Sequence, residues 1–491
     1  MENNSNMNET ATKNNDKNKG SRTIELSPFK FIMTLLSCII LTAAVTSLAI
    51  LFGNEKVIDQ NGPKRSEFLK FYTVYDTLTK DYYKKVDKEK LVDAAIKGMV
   101  SGLDDPYSEY MTKAEQESFT GEMSGEFSGI GAEMGEEDGK IIISSPIKAS
   151  PAEKAGVKSK DELIKIDGKD ISGMSTSKVV SKIRGKKGTT VTLTLKRGDN
   201  APFDIKIVRD TIHIDSVESK MEKNHVAVIT INKFQEGTAK EFHNALTKMD
   251  EKGMKKLVLD FRNNPGGYLD EASKMANEFL DRGDVILYSE ERDGTQKALK
   301  AKNPQNPITK DLKTAIILNE GSASASEVFA LALKDHNKAT IVGTKSFGKG
   351  IVQTATPYKD DSMLKYTLSK WLSPNKTWIH KKGITPDKEI KLPSYANIHI
   401  LDENKVFSLG EKSEDIKTLE IGLKALGYDP GKVDDTFDQA TLNAVNQFQV
   451  TEQVPNTGLM DKPSIKKFTQ LLKEKLQKND TQLKGAIEYV K

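Results

Sequence analysis

Three serines at alternate positions, Ser322, Ser324 and Ser326, and a lysine between two glycines, Gly348-Lys349-Gly350, are the side chains best suited to covalent chemistry. A hydroxyl is a weak nucleophile until a neighbouring base takes its proton, and a lysine shielded from water loses its charge and can be that base. The serines fall where an apolar strand over 314–319 gives way, through Glu320-Gly321, to a helical pattern over 323–333. Such a turn presents a small side chain sharply, beside helix N–H groups free to stabilise an anion. A second strand over 340–343 leads to Lys349 and Gln353. Pattern alone does not choose among the serines or lysines, and small residues at a strand-to-helix turn are common without any chemistry.

A second loop bears on the same chemistry. Residues 260–267, DFRNNPGG, end a buried strand in a sharp polar turn. Asn264-Pro265 enforces the turn, and Gly266-Gly267 open conformations closed to other residues. Backbone N–H groups there could face a developing oxyanion; a phosphate site and a plain turn are the rivals. The spacing to a Gly-Lys-Ser/Thr sequence that a P-loop requires is missing.

The elements that must position these loops form a multidomain α+β chain. Its 491 residues suffice for several domains; 37% apolar and 29% charged residues fit a globular body, and a net charge of +4 gives no case for nucleic acid. Residues 1–30 read as a disordered cytoplasmic tail and 31–52, free of formal charge, as a transmembrane helix. Lysines and arginines before it favour an inside N-terminus and an extracellular catalytic body; a cleaved signal peptide is the rival. Cys38, the sole cysteine, lies in that segment, which excludes an intramolecular disulfide and a catalytic thiol in the body. Helical patterns at 67–82 and 88–100 belong to an N-terminal helical part over 65–120. A unit of short strands follows over 126–210, then the α/β core at 211–395. Residues 411–476 form a small helical domain, and 477–491 read as a solvated basic tail.

Other chemistries fit less well. No pair among the six histidines has H-E-x-x-H spacing, so no metal site or cofactor is expected. Ser346-Phe347-Gly348-Lys349 has the S-x-x-K spacing of cell-wall acyl-transfer enzymes, but its glycines argue for a loop where those enzymes need a helix.

Taken together, Asn319-Glu320-Gly321-Ser322-Ala323-Ser324-Ala325-Ser326-Glu327, Gly348-Lys349-Gly350 with Gln353, the loop 262–267 and Asp104-Asp105-Pro106-Tyr107-Ser108 resemble the C-terminal processing (tail-specific) serine peptidases in their membrane-anchored bacterial form. The resemblance runs from about residue 67 to 391. It implies Ser324 as nucleophile, Lys349 as neutral general base, Gln353 as the group that orients the lysine, and an oxyanion hole from Ala325 with Gly266 or Gly267. The unit 126–210 is similar to a PDZ domain, with Phe127-Ser128-Gly129-Ile130-Gly131 as the loop receiving a substrate's apolar C-terminus and Arg184 as a gating residue. The domain 411–476 resembles a peptidoglycan-binding module, with Asp435 and Asp438 where glycines are frequent. The resulting expectation is a single-pass cell-membrane endopeptidase that acts on protein C-terminal tails through an acyl-enzyme and contacts peptidoglycan. Its first extracellular helices suit either a homodimer or packing within one chain. The alternative of another class is a catalytically silent envelope scaffold binding tails and wall.

Overall fold

The computed structural model describes residues 65–137 and 139–491. The chain divides into two units, Met1–Val92 and Asp93–Lys491. The described part of the first holds the turn Ser66–Phe68 and the helix Leu69–Asp81, on which Leu69, Tyr72 and Val74 stay exposed. The expected tail (1–30) and transmembrane helix (31–52) lie outside the described residues. Among the described residues, no helix is long and apolar enough to cross a membrane.

The serine and glycine loops grow from a six-stranded sheet in the order Val217–Glu222, Val226–Ile231, Lys256–Asp260, Lys313–Leu318, Thr340–Gly343, Lys388–Glu389. The first pair is antiparallel and the rest parallel. The central strands read VAVITI, KLVLD and KTAIIL. Runs apolar on both faces need a cover on each side. On one side Ile229, Leu259 and Ile316 pack against the helices Thr238–Glu251, Leu269–Ala276 and Ala325–Asp335. There the Phe329 ring lies 5.2 Å from Phe261, 5.9 Å from Phe279 and 6.5 Å from Phe242.

The other side holds Val228, Val258, Ala315 and Ile317 against Ala486 and Val490 of the helix Thr481–Val490. This corrects the solvated basic tail expected at 477–491. Leu483, Ala486, Ile487 and Val490 recur at helical spacing and turn one apolar stripe to the sheet. The chain thus leaves the core after Ile390, builds a separate domain, and returns to finish the core.

A second, antiparallel sheet carries the lysine loop. Glu109–Met111, Met363–Leu372, Val285–Glu290 and Gln296–Lys300 lie in that order, and Ile351–Pro357 also pairs with Met363–Leu372. In the unit 126–210, Ala132–Glu137 is the edge of a sheet that continues through Lys140–Pro146, Glu162–Ile166, Thr190–Lys196 and Phe203–Val208. The helix Thr176–Ile183 lies beside that edge. The excursion domain packs Glu414–Leu426, Gln439–Thr451 and Lys462–Lys478 around Phe437, Phe448 and Phe468.

Candidate active site

The structure distinguishes the three serines. Ser322 and Ser326 are fully buried ties: Ser322 Oγ donates to the Phe261 carbonyl at 2.9 Å, and Ser326 Oγ to the Asn264 carbonyl at 3.0 Å. Both therefore stitch the nucleophile turn to the loop 261–264. Ser324 lies between them, its side chain lining an open cavity of about 760 Å³ and its Oγ donating to nothing among the described residues. Its backbone has φ 57 and ψ −115, a region that L residues avoid. Such strain costs about 1–3 kcal/mol and persists only where the surroundings over-determine it. Here they do: Ala323 N–H donates to Asn264 O at 3.0 Å, and Ser324 O accepts from Glu327 and Val328 at 2.9 Å each.

The strongest constraint is Glu327, fully buried one turn into the nucleophile helix. Its Oε2 accepts the Ser324 and Lys349 backbone N–H groups, both at 2.8 Å. Its Oε1 accepts Ser346 Oγ at 2.5 Å and Gly348 N–H at 2.7 Å. Burial pushes its carboxyl up from the ordinary range, against the pull of these four donors. One carboxylate thus fixes the backbone of the nucleophile and that of the lysine together. Ser346, spent on Glu327 and on the Ile384 N–H, has no role as a nucleophile, which removes the S-x-x-K reading.

Lys349 sits on a loop that only glycine permits on either side: a Cβ on Gly348 would fall 2.6 Å from Gly383 N, and one on Gly350 2.8 Å from His380 N. Two indoles hold this backbone, Trp371 Nε1 on Lys349 O at 2.8 Å and Trp378 Nε1 on Gly350 O at 2.9 Å. The Lys349 side chain is half-buried in the same cavity as Ser324. Burial, then the Lys365 charge, lowers its pKa below the ordinary ammonium range, against Asp105 and Glu327. Its Nζ rests over the Tyr107 ring, 4.9 Å from the centroid, and makes no hydrogen bond to Ser324.

The loop 260–267 closes against Ser324. A Cβ on Gly266 would stand 2.8 Å from Ser324 Cβ, and one on Gly267 2.0 Å from Phe234 O. Gly266 N–H is already taken by Asn264 Oδ1 at 2.9 Å. Gly267 N–H and Ala325 N–H, the first of its helix, have no acceptor among the described residues. Of the two glycines expected, Gly267 is the available donor and Gly266 the spacer.

Four stretches of the chain match known families: Peptidase family S41 over 225–390, activating protease CtpB N-terminal domain over 47–115, PDZ domain over 118–196 and peptidoglycan binding domain over 412–466. A probable CtpA-like serine protease of Staphylococcus aureus (strain COL) is 46% identical over 484 residues, spanning 98% of this chain and 97% of that one. The chain belongs to peptidase family S41. A protein of the same description from Staphylococcus haemolyticus (strain JCSC1435) is 46% identical, over 97% of this chain and 96% of its own. Among solved structures, the photosystem II D1 C-terminal processing protease aligns with 66% of this chain and 88% of that one, at 26% identity and a TM-score of 0.39.

This S41 chain is a serine-type peptidase with a PDZ domain and a helical C-terminal domain. Its cavity gathers Ser324, Ala325, Lys349, Gln353, Gly266 and Gly267. Gln353 does not reach the lysine: its Nε2 is buried without a hydrogen-bond partner. In the PDZ domain, Phe127, Ser128 and Gly129 are not loop; they belong to the strand Glu126–Gly129, paired with Asp210–His213, and only Ile130 and Gly131 lie between it and the next strand. Arg184 stacks its guanidinium on the Phe127 ring at 5.1 Å, beside that strand and outside the catalytic cavity.

Three side chains escaped the reading of the sequence as active-site groups. Glu327 and Tyr107 stand inside quoted motifs, and an acidic residue three after a helix-opening serine is a cap signal. Asp105 holds Tyr107 in place, accepting Tyr107 N–H, Ser108 Oγ and Thr367 Oγ1. Lys365, which reaches the cavity from the strand Met363–Leu372, carries no local signal at all.

Proposed function

We propose that this peptidase captures protein C-terminal tails through its PDZ domain and cleaves within them by a Ser324–Lys349 dyad. The observation that carries the reading is the cavity shared by Ser324, alone of the three serines uncommitted to a backbone carbonyl, and a half-buried lysine of lowered pKa. In the working step the Lys349 amine leaves the Tyr107 face and takes the Ser324 proton as Oγ attacks the scissile carbonyl. Gly267 and Ala325 N–H groups meet the oxyanion; each such donor is worth about 3 kcal/mol. The ammonium returns its proton to the leaving amine, and water releases the acyl group by the reverse path. Gln353, unpaired in the same cavity, meets the amine once it has left Tyr107.

Tail capture is supported by the open edge strand Ala132–Glu137 beside the helix Thr176–Ile183, which suits strand addition, and by Ile130 and Gly131 at its entrance. Arg184 against Phe127 is placed to report occupancy of that groove. The apolar segment 31–52 supports a membrane anchor with the catalytic body outside, and the domain at 412–466 supports contact with peptidoglycan. The exposed apolar side chains of Leu69–Asp81 support pairing with a second copy.

The deciding experiment compares cleavage of a folded protein bearing an apolar tail by the unaltered chain, Ser324→Ala and Lys349→Ala, with mass spectrometry of the products. Turnover is expected to fall by about 10⁴-fold or more in both variants. Amidating the tail's free carboxylate is expected to raise KM. Undiminished cleavage by Ser324→Ala would remove the proposed nucleophile.

A further inference from the structure

Arg262 opens the loop that ends at Gly267, and its guanidinium, only 15% exposed, lies between two carboxylates. Asp260, two residues before it, accepts Nε at 2.9 Å and Nη2 at 2.6 Å. Asp480 accepts Nη1 at 2.9 Å and Nη2 at 2.7 Å, a fork-to-fork pairing that fixes the guanidinium plane as well as its position. Gln482 Oε1 adds a longer bond to Nη1 at 3.3 Å. Asp480 comes from 218 residues further along the chain, where it caps the helix Thr481–Val490 by accepting Leu483 N–H. Burial opposes its charge, yet its hydrogen bonds with Arg262 hold its pKa below the usual carboxylate range. Next in the loop, Asn263 is locked to Asn319 of the nucleophile turn in both directions, at 2.8 and 2.9 Å.

We propose that Asp480 is a positioning residue for the oxyanion loop: through Arg262 it sets where Gly267 N–H stands relative to Ser324, which makes the helix Thr481–Val490 a working part of the catalytic domain. The arrangement links the excursion domain to catalysis. Where the chain returns from it, the first turn of the helix is pinned to the leaving segment by Thr481 Oγ1 on Lys391 O at 2.7 Å and Gln482 Nε2 on Ile390 O at 3.0 Å. On the returning side, a load on that domain therefore reaches the Asp480–Arg262 fork before it reaches the helix Thr481–Val490 and the sheet beneath it. A helix that merely covered apolar surface would not need an ionic fork at the mouth of the oxyanion loop.

The inference rests on the oxyanion hole assigned above, and the test separates the two. The full chain, Asp480→Asn and Arg262→Lys are assayed on an internally quenched peptide ending in an apolar residue with a free carboxylate. Binding of a peptide aldehyde and of the matching alcohol is measured in parallel. Asn still caps the helix and Lys keeps the charge, so both variants retain the fold while losing the fork. The expected result is a kcat lower by about tenfold or more, KM within about twofold, and an aldehyde-over-alcohol preference that falls in step with kcat. Unchanged kcat and preference in both variants, even with a lower melting temperature, would overturn the role of Asp480 and leave the oxyanion hole standing. An unaltered chain that prefers the alcohol would overturn the oxyanion hole and this inference with it.

Discussion

At the scale of single residues, the proposed dyad joins a nucleophile whose direction is imposed to a base whose charge is tuned. Ser324 points into the cavity because its backbone is held at positive φ by bonds to a loop some sixty residues earlier and by Glu327. No local rule contains that information, so the serine had to be chosen by resemblance to a family, and the structure supplies the physical reason. Lys349 was legible as a base only in outline. What lowers its pKa is burial and a second cation, Lys365, that the topology brings in from another strand. Replacing Lys365 by Met removes a like charge, so the Lys349 pKa should rise and the fraction of neutral base at pH 7 should drop. The rising limb of kcat/KM against pH is then expected to move to higher pH. A limb that stays in place would show that burial alone sets the base.

At the scale of elements, the strand-turn-helix grammar of the core was readable because its periods are unambiguous: 314–319 and 340–343 fall within a residue or so of Lys313–Leu318 and Thr340–Gly343. The nucleophile helix is anchored by Phe329, buried among three other phenylalanines. Phe329→Ala is expected to cost about 3–5 kcal/mol, read as a lower denaturant midpoint at unchanged slope. The helix Thr481–Val490 was missed because lysines and other polar residues separate its four apolar positions, at i, i+3, i+4 and i+7, from the apolar runs of the core. The signal was nonetheless in the strands. VAVITI and KTAIIL are apolar on both faces, and the helices of the core cover only one. The PDZ loop failed differently: Phe127-Ser128-Gly129 holds a glycine and a small polar residue, turn chemistry by composition, yet pairing with Asp210–His213 makes it strand.

At the scale of the whole molecule, the excursion domain is a closed loop whose two ends meet on the core, with Tyr395 Oη and Asn479 Nδ2 3.1 Å apart. Deleting 398–477 and joining the ends with a short Gly/Ser linker is therefore expected to preserve peptide cleavage and thermal stability within a few degrees. Sedimentation with purified peptidoglycan should be lost. A chain stopped at residue 478 should instead lose cleavage, because one face of the sheet and one side of Arg262 go uncovered. Equal activity in the two deletions would contradict this division of labour.

The late arrival of residues 481–490 also sets an order of events during biosynthesis. A chain made from its N-terminus exposes Val228, Val258 and Ile317 until those residues emerge. By then the intervening domain has had time to fold. Peptidase activity is therefore expected only once residues 481–490 have been made, and a chain interrupted before them is expected to lack it.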